Sequence, residues 1–565
     1  MVQIGARVQG RAAREIHRMR SDQSRTHRLR HLIPLARAAA LVSLLTVFLT
    51  WPQAGRAGSR IGDHRDPWFS AWRLAWIAHA LRTDPSHLYD ANIYFPEPNT
   101  FAFSDAVLLQ GVLGAPLIWA GWSPVLVYNV MLLGGIAAAG FGMFVLVRHL
   151  TANVDAALAS AALYTLLPYR VEHFVHLEMQ WTVWIPLAFW AVHRAVDESS
   201  WGFGVLAGLF AWLQLISGMY NAVILALFLP VLTLLIALPR PNRWTALSRV
   251  AAGGILAAAL AYPVSLPYIR NTEGLSRDPS VVARFSAQPV SYVTAPRDNF
   301  LWGGAVSRFG GNERHLFPGL TSLLLGALAL AQRPRRIVWI YLAIGIMAVD
   351  LSLGFSGSLY PLLYRHAKPF QGLRAVARFS VVAFTALAVL AGFGVTYLQT
   401  RWRGTPAHSW ILACTVAALM AEGLSAPMRL IEIPSATPSV YRALQRLPSG
   451  AVVELPALRP ESAEGFDSRY QFWSSTHWRP LINGYSGTAP ASYVETQQRM
   501  QTFPDAQSLD RLAQLKARYV IVHEQLFPRG AGADVLAATR GHTGLVSHGV
   551  YRDWAGIAEI FELVR

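Results

Sequence analysis

The sequence predicts a polytopic α-helical membrane protein of 11 or 13 spans with a C-terminal extracytoplasmic α/β domain. Three observations lead there. The chain is 53% hydrophobic and only 14% charged, where an average soluble domain carries roughly 25% charged residues. Twelve apolar stretches approach the ~20 residues that cross a bilayer as a helix, and arginines crowd the short loops between them. After about Pro427 the pattern changes to short strand-like and helix-like runs.

In chain order, a basic cytoplasmic tail (1–30) holds eight arginines between residues 7 and 30. It is followed by a multi-span region (31–426), whose first span, about His31 to Trp51, reads as a retained anchor: no small-residue cleavage site follows it. A polar and aromatic outer loop, 52–104, comes next. The remaining apolar segments run 106–121, 124–147, 154–168, 180–196, 201–217, 219–238, 248–269, 316–332, 336–354, 377–398 and 408–426. Arg148, Arg194, Arg240–Arg249, Arg333–Arg336 and Arg401 with Arg403 place their loops in the cytoplasm. The connections 169–179, 270–315 and 355–376 then lie outside, with the cap domain (427–565). Twelve segments leave the count one crossing out, so either 106–121 does not span or one helix more is present. In the cap, AVVELP (451–456) and ARYVIVHE (517–524) read as strands and SLDRLAQL (508–515) as helix, while STHWRPLINGYSG (475–487), rich in turn formers and aromatics, reads as either a substrate-facing loop or a strand–turn element.

The net charge of +17 sits in the tail and the short loops, where it orients helices and meets anionic headgroups. That makes membrane lipid the partner and sets nucleic acid aside. The single cysteine, Cys414, excludes an intrachain disulfide and a cysteine-based metal site. No phosphate-binding glycine loop, zinc-protease helix or GxSxG elbow is present.

Four patches concentrate chemistry. In GDHRDPWFSAWRLAW (62–76), Asp66 before Pro67 reads as a helix N-cap. Trp68, Trp72 and Trp76 then form one face of a helix expected in the outer headgroup layer. A carboxylate that caps a helix is a weaker base; Asp63 has no such duty. The stretch 89–105 sets Asp90, Glu97 and Asp105 among aromatics and prolines, which suits either a sugar-bearing headgroup or plain interfacial anchoring. PYRVEHFVHLEMQW (168–181) gathers Arg170, Glu172, His173, His176, Glu178 and Gln180. Its two histidines lack a nearby third ligand for a metal. HAKPFQGLRAVARFS (366–380) puts Arg374 and Arg378 on one helix face at an outer membrane boundary. Such forks match phosphate oxygens, with snorkelling at a helix end as the alternative.

The stretches DPWFSAWRLAWIAHAL, NIYFPEPNTFAFSD, SPVLVYN, LPYRVEHFVHLEMQWTVWIPLAF, RHLFPGL, GLRAVARFS and HWRPLINGYSG resemble a bacterial branch of the GT-C superfamily of polyprenyl-phosphate-sugar-dependent glycosyltransferases. The resemblance runs from about residue 60 through most of the chain. It implies an enzyme of the bacterial inner (plasma) membrane, with its N-terminus in the cytoplasm. Such an enzyme moves a sugar, with inversion, from a polyprenyl-phosphate donor to a hydroxyl of a glycan, lipid or protein acceptor. An acid of the first outer loop is the general base, matched by Asp66 and less well by Asp63. Some members bind a divalent metal ion through a second acid of that loop, for which Glu97 is the nearest match. Arg374 and Arg378 match the cations that hold the lipid phosphate, with Arg170, His173 and His176 as further substrate-facing candidates. The alternative is a non-catalytic carrier, flippase or assembly scaffold for lipid-linked glycans. A carrier calls for polar or broken spans near the midplane, whereas here polar residues gather at the outer ends.

Overall fold

The computed structural model describes residues 32–271, 277–311, 313–331, 335–457 and 465–564. The basic tail expected at 1–30 lies outside the described residues. Among the described residues, five helices are long and apolar enough to cross a membrane: Leu32–Leu49, Pro124–Thr151, Met219–Ala237, Arg243–Asn271 and Val376–Arg401. The other apolar segments fold as shorter helices, from the 9 residues of Leu320–Leu328 to the 17 of Trp201–Ser217, Arg336–Ser352 and Ala407–Gly423. The expected 11 or 13 spans are therefore not reached by helices of full bilayer length.

Segment 106–121, one of the two explanations for the odd crossing, forms the 12-residue helix Leu108–Trp119. At 1.5 Å per residue it is about 18 Å long, well short of a ~30 Å hydrocarbon layer. It lies along helix Arg65–Thr83. Trp119 Nε1 donates to the Ala78 carbonyl (2.9 Å), and a Cβ on Gly111 would meet Ile77 at 2.1 Å.

Small residues let the central helices close on one another. Val154–Leu166, rich in alanine, is buried along almost its whole length between Pro124–Thr151 and Ser380–Arg401. A Cβ on Gly140 would strike Thr165 and one on Gly392 would strike Val147 and Ser160, so both glycines are needed for that approach. The polar groups inside are paired: the Tyr164 hydroxyl lies 3.3 Å from Thr182 Oγ1 and 3.2 Å from Thr385 Oγ1.

Six short strands organise the cap end. β1 (Arg60–Gly62), in the outer loop, pairs antiparallel with β2 (Leu430–Glu432), where the cap begins. β3 (Ala451–Leu455), β4 (Ala517–His523), β5 (Leu545–Asp553) and β6 (Gly556–Leu563) form a sheet in the order β3-β4-β6-β5. The β3–β4 pair is parallel, and β4–β6 and β5–β6 are antiparallel.

The tryptophans of 68–76 differ from expectation. Trp68, Trp72 and Trp76 are buried in one hydrophobic cluster with Tyr470, Phe472, Trp473 and Tyr519 of the cap. Trp68 meets Phe472 edge-on at 5.1 Å, and Trp76 meets Trp478 at 5.7 Å. The apolar face predicted for a lipid interface is covered by protein, because the cap brings a matching aromatic surface. The outer loop and the cap thus share a core across the boundary drawn at 427.

Candidate functional site

Helix Arg65–Thr83 carries the first functional side chain. Its N-cap is His64, in an extended conformation (φ −158°, ψ 169°), whose Nδ1 accepts the Asp66 N–H at 3.2 Å. Asp66 is thus the second helical residue and not the cap, which corrects the sequence reading. Its carboxylate is free to turn into a cavity of about 390 Å³ between the outer loops and the cap. The histidine took the capping position because its ring nitrogen accepts a hydrogen bond much as a cap oxygen does.

Two side chains hold Asp66 from different parts of the chain. The Tyr485 hydroxyl donates to Oδ1 (2.7 Å), and His176 Nε2 lies 3.1 Å from Oδ2. Burial pushes the Asp66 carboxyl up, but the hydrogen bonds and charges of His176 and His64 outweigh it and hold it well below the ordinary range. His176 is affected in the opposite sense: burial lowers it, and Asp66 more than compensates, leaving it raised.

A second layer lies deeper on the same helix face, at the i+7 position. Arg73 is buried, donating to Glu178 (3.0 Å), to the Ser70 hydroxyl (2.8 Å) and to the Asp105 carbonyl. Asp105 Oδ1 accepts the N–H of Met219, first residue of a membrane helix, at 2.9 Å. Burial, together with the charge of Glu178, pushes the Asp105 carboxyl up to about 6. Val107, two residues on, holds a left-handed backbone (φ 47°), a strained state for a β-branched residue. Strain of this sort is stored where surrounding structure fixes a functional backbone.

The lining also holds cations. Arg277, Arg374 and Arg378 all line the cavity. Arg378 is buried and forks onto Glu313, with Nε 3.1 and 3.0 Å from its two carboxylate oxygens and Nη2 on Oε1. Glu313 has a left-handed backbone (φ 68°) and sits 3.4 Å from His173 Nε2. Burial raises the Glu313 carboxyl, but Arg378 dominates and leaves it far below its usual range. Arg374 is exposed, its guanidinium 5.0 Å from the Phe285 ring centroid. Arg73 is matched by Glu178, Arg378 by Glu313 and Asp66 by His176. Among the described residues, Arg277 and Arg374 have no carboxylate partner, so the lining holds two arginines outside any ion pair, with the Asp105 carboxyl in the same cavity.

Of the residues singled out from the sequence, Asp66, Asp105, His176, Glu178, Arg374 and Arg378 converge on this cavity. The others lie elsewhere. Asp63 is exposed beside strand β1. Arg170 is buried, with Nη1 donating to the Gln180 carbonyl (3.1 Å) and Nη2 to Thr182 Oγ1 (3.0 Å), and it does not line the cavity. His173 packs on the Tyr169 ring at 4.2 Å, behind Glu313, and burial pushes it down to about 3, so it is neutral. Glu97 accepts from the Ser492 hydroxyl (2.6 Å) at the cap, outside the cavity lining. No group of three or more His, Cys, Asp or Glu side chains placed to hold a metal ion occurs among the described residues. The residues do not fit the divalent metal that Glu97 was expected to bind.

Sequence reasoning passed over Arg73, Arg277 and Glu313, named Asp105 and Glu178 without giving them a role, and flagged the stretch 475–487 that carries Tyr485 without singling out the tyrosine. Arg73 was within reach, since it shares the face of Asp66 and Phe69 at helical spacing. Tyr485 carried no such signal, lying 419 residues from its partner.

No protein-family model matches this chain, and no curated protein matches it. Among solved structures it is similar to the crystal structure of the Archaeoglobus fulgidus oligosaccharyltransferase tethered with an acceptor peptide containing the NVT sequon via a disulfide bond. That likeness has 15% sequence identity and a TM-score of 0.48, and it covers 92% of this chain and 73% of the other.

Proposed function

We propose that the protein is an integral-membrane glycosyltransferase of GT-C type, moving a sugar from a polyprenyl-phosphate donor to an acceptor hydroxyl at the cap-side membrane surface. The observation that carries this reading is one cavity lined both by the Asp66 carboxylate and by two arginines without a carboxylate partner, Arg277 and Arg374. In the reaction the anomeric carbon–oxygen bond to phosphate breaks, and a bond to the acceptor oxygen forms on the opposite face. Asp66 takes the acceptor's proton, and the lipid phosphate leaves with the bonding pair. The leaving phosphate gains a negative charge as that bond breaks, so fixed arginines bind it more tightly than the intact donor. Tyr485 and His176 hold the Asp66 oxygens in place, and an incoming acceptor hydroxyl replaces the Tyr485 bond.

The apolar wall formed by Val223 and Leu373 suits the polyprenyl chain, with the charged groups beside it. Charged residues gather at the cap end of the helices and not at the midplane, which favours a surface enzyme over a carrier. The test uses purified full-length protein with labelled polyprenyl-phosphate sugars and membrane acceptors. Asp66→Asn should lower transfer by about 10²–10⁴-fold while Asp63→Asn keeps it. Transfer that survives Asp66→Asn unchanged would remove Asp66 from the mechanism.

A further inference from the structure

Helix Arg243–Asn271 carries an arginine that the cavity does not use. Arg249 is only 9% exposed, and its Nε and Nη1 have no hydrogen-bond partner among the described residues. At the far end of the same helix, the Asn271 side-chain amide donates to the Asn99 carbonyl beside the cavity (2.9 Å). The 22 residue steps from one to the other, at 1.5 Å each, put Arg249 about 33 Å along the helix from that end, roughly one hydrocarbon thickness away. Arg249 therefore lies at the headgroup layer of the opposite leaflet.

Backbone contact shapes its surroundings. A Cβ on Gly204 would meet the Arg249 carbonyl oxygen at 2.3 Å, and one on Gly208 would meet the Gly253 carbonyl at 1.9 Å. Helices Trp201–Ser217 and Arg243–Asn271 thus cross with their backbones in contact. Helical side chains lean toward the N-terminus of their own helix, which aims the Arg249 guanidinium outward past Gly204, toward the level of Trp201. Trp201 is 54% exposed, as befits an interfacial aromatic.

The acids at this end are already engaged. Asp197 pairs with Arg240 and His149, and Glu198 pairs with Arg194. Exposed Arg243, 5.7 Å from the Trp244 ring, adds another positive charge. A buried guanidinium with idle donors is destabilising, and its planar fork matches two oxygens of a phosphodiester. An inner basic pocket between membrane helices is a natural headgroup site. We propose that Arg249 binds the phosphate of an anionic phospholipid of the leaflet opposite the cap, at the seam where helices Trp201–Ser217 and Arg243–Asn271 meet. The site is independent of the glycosyltransferase reading.

Delipidated full-length protein in detergent tests this by thermal unfolding during titration with phosphatidylglycerol, phosphatidylcholine or free glycerol phosphate. Phosphatidylglycerol should raise the wild-type melting temperature most. Arg249→Ala should bind it about tenfold more weakly, the loss of roughly one charge-assisted contact, and Arg249→Lys should fall between. An equal response of wild type and Arg249→Ala overturns the proposal, and so does a glycerol phosphate response matching the lipid's, which would assign a soluble phosphate. Should Arg249→Ala fail to fold, native mass spectrometry of the reloaded wild type and Arg243→Ala decides. Retained phosphatidylglycerol in both supports the site, and its absence from the wild type overturns it.

Discussion

Two carboxylates sit under the same cap, each held by a tyrosine from residues 485–493, and their states are opposite. Asp66 accepts from Tyr485 at 2.7 Å in the cavity, and Asp467 accepts from Tyr493 at 2.8 Å inside the cap. Asp467 is pushed up to about 7 by burial, only partly offset by Tyr493 and Asn483. Asp66 is held well below the usual range because the histidines beside it outweigh its burial. Both have hydroxyl partners, and only Asp66 has cationic ones. The charge of the neighbours, not burial, decides which acid is ionised and available.

Four experiments can break or sharpen that contrast. The largest effect is expected for Asp66→Asn, which should lower sugar transfer by about 10²–10⁴-fold, the range of a lost general base. The matching Asp467→Asn should leave transfer nearly intact.

Next is the pH dependence of stability. The folded pKa of Asp467 lies above its ordinary value of 3.8, so its contribution is full below that value and is lost as pH rises toward 7. The loss is at most about 1.4 kcal/mol per pH unit. Melting curves from pH 4 to 8 should show the decline, and Asp467→Asn should flatten it. A wild-type curve without decline across that interval contradicts the assignment.

The Asp66–His176 pair behaves differently. His176 is raised, so its share is full below pH 6.5 and lost as pH climbs through its folded value. Asp66 is lowered, so its share is present above pH 3.8 and lost as pH falls through its folded value. His176→Gln should therefore raise the pH at which the acid limb of activity appears, and an unshifted limb would count against the pairing. The smallest effect belongs to Tyr485→Phe, which removes one hydrogen bond of about 0.5–1.5 kcal/mol. Transfer should fall by no more than about tenfold, whereas a total loss would make Tyr485 a proton carrier.

Parts of this architecture were legible before folding. The runs read as strands at 451–456 and 517–524 became β3 and β4, and 508–515 fell on helix Ala506–Gln514. Arg374 and Arg378 were picked out as cations at an outer boundary and both line the cavity, but not from one helix face: Arg374 precedes the short helix Val376–Phe379 that carries Arg378. The Asp66 cap and the lipid-facing tryptophans failed for related reasons. His64 could cap as well as Asp66, and nothing local ranks the two. A tryptophan face is equally suited to lipid and to another aromatic surface, and the surface that covers it begins some 400 residues later.

Hydropathy and spacing sufficed to place the apolar helices and the cap's strands β3 and β4, though not the expected number of full-length spans, because each element depends on neighbours within a few residues. The pairing of Asp66 with Tyr485, of Arg378 with Glu313 and of Arg73 with Glu178 depends on contacts between segments distant in the chain. Those contacts, through the charges they bring near each carboxylate, decided which acid faces the cavity ionised.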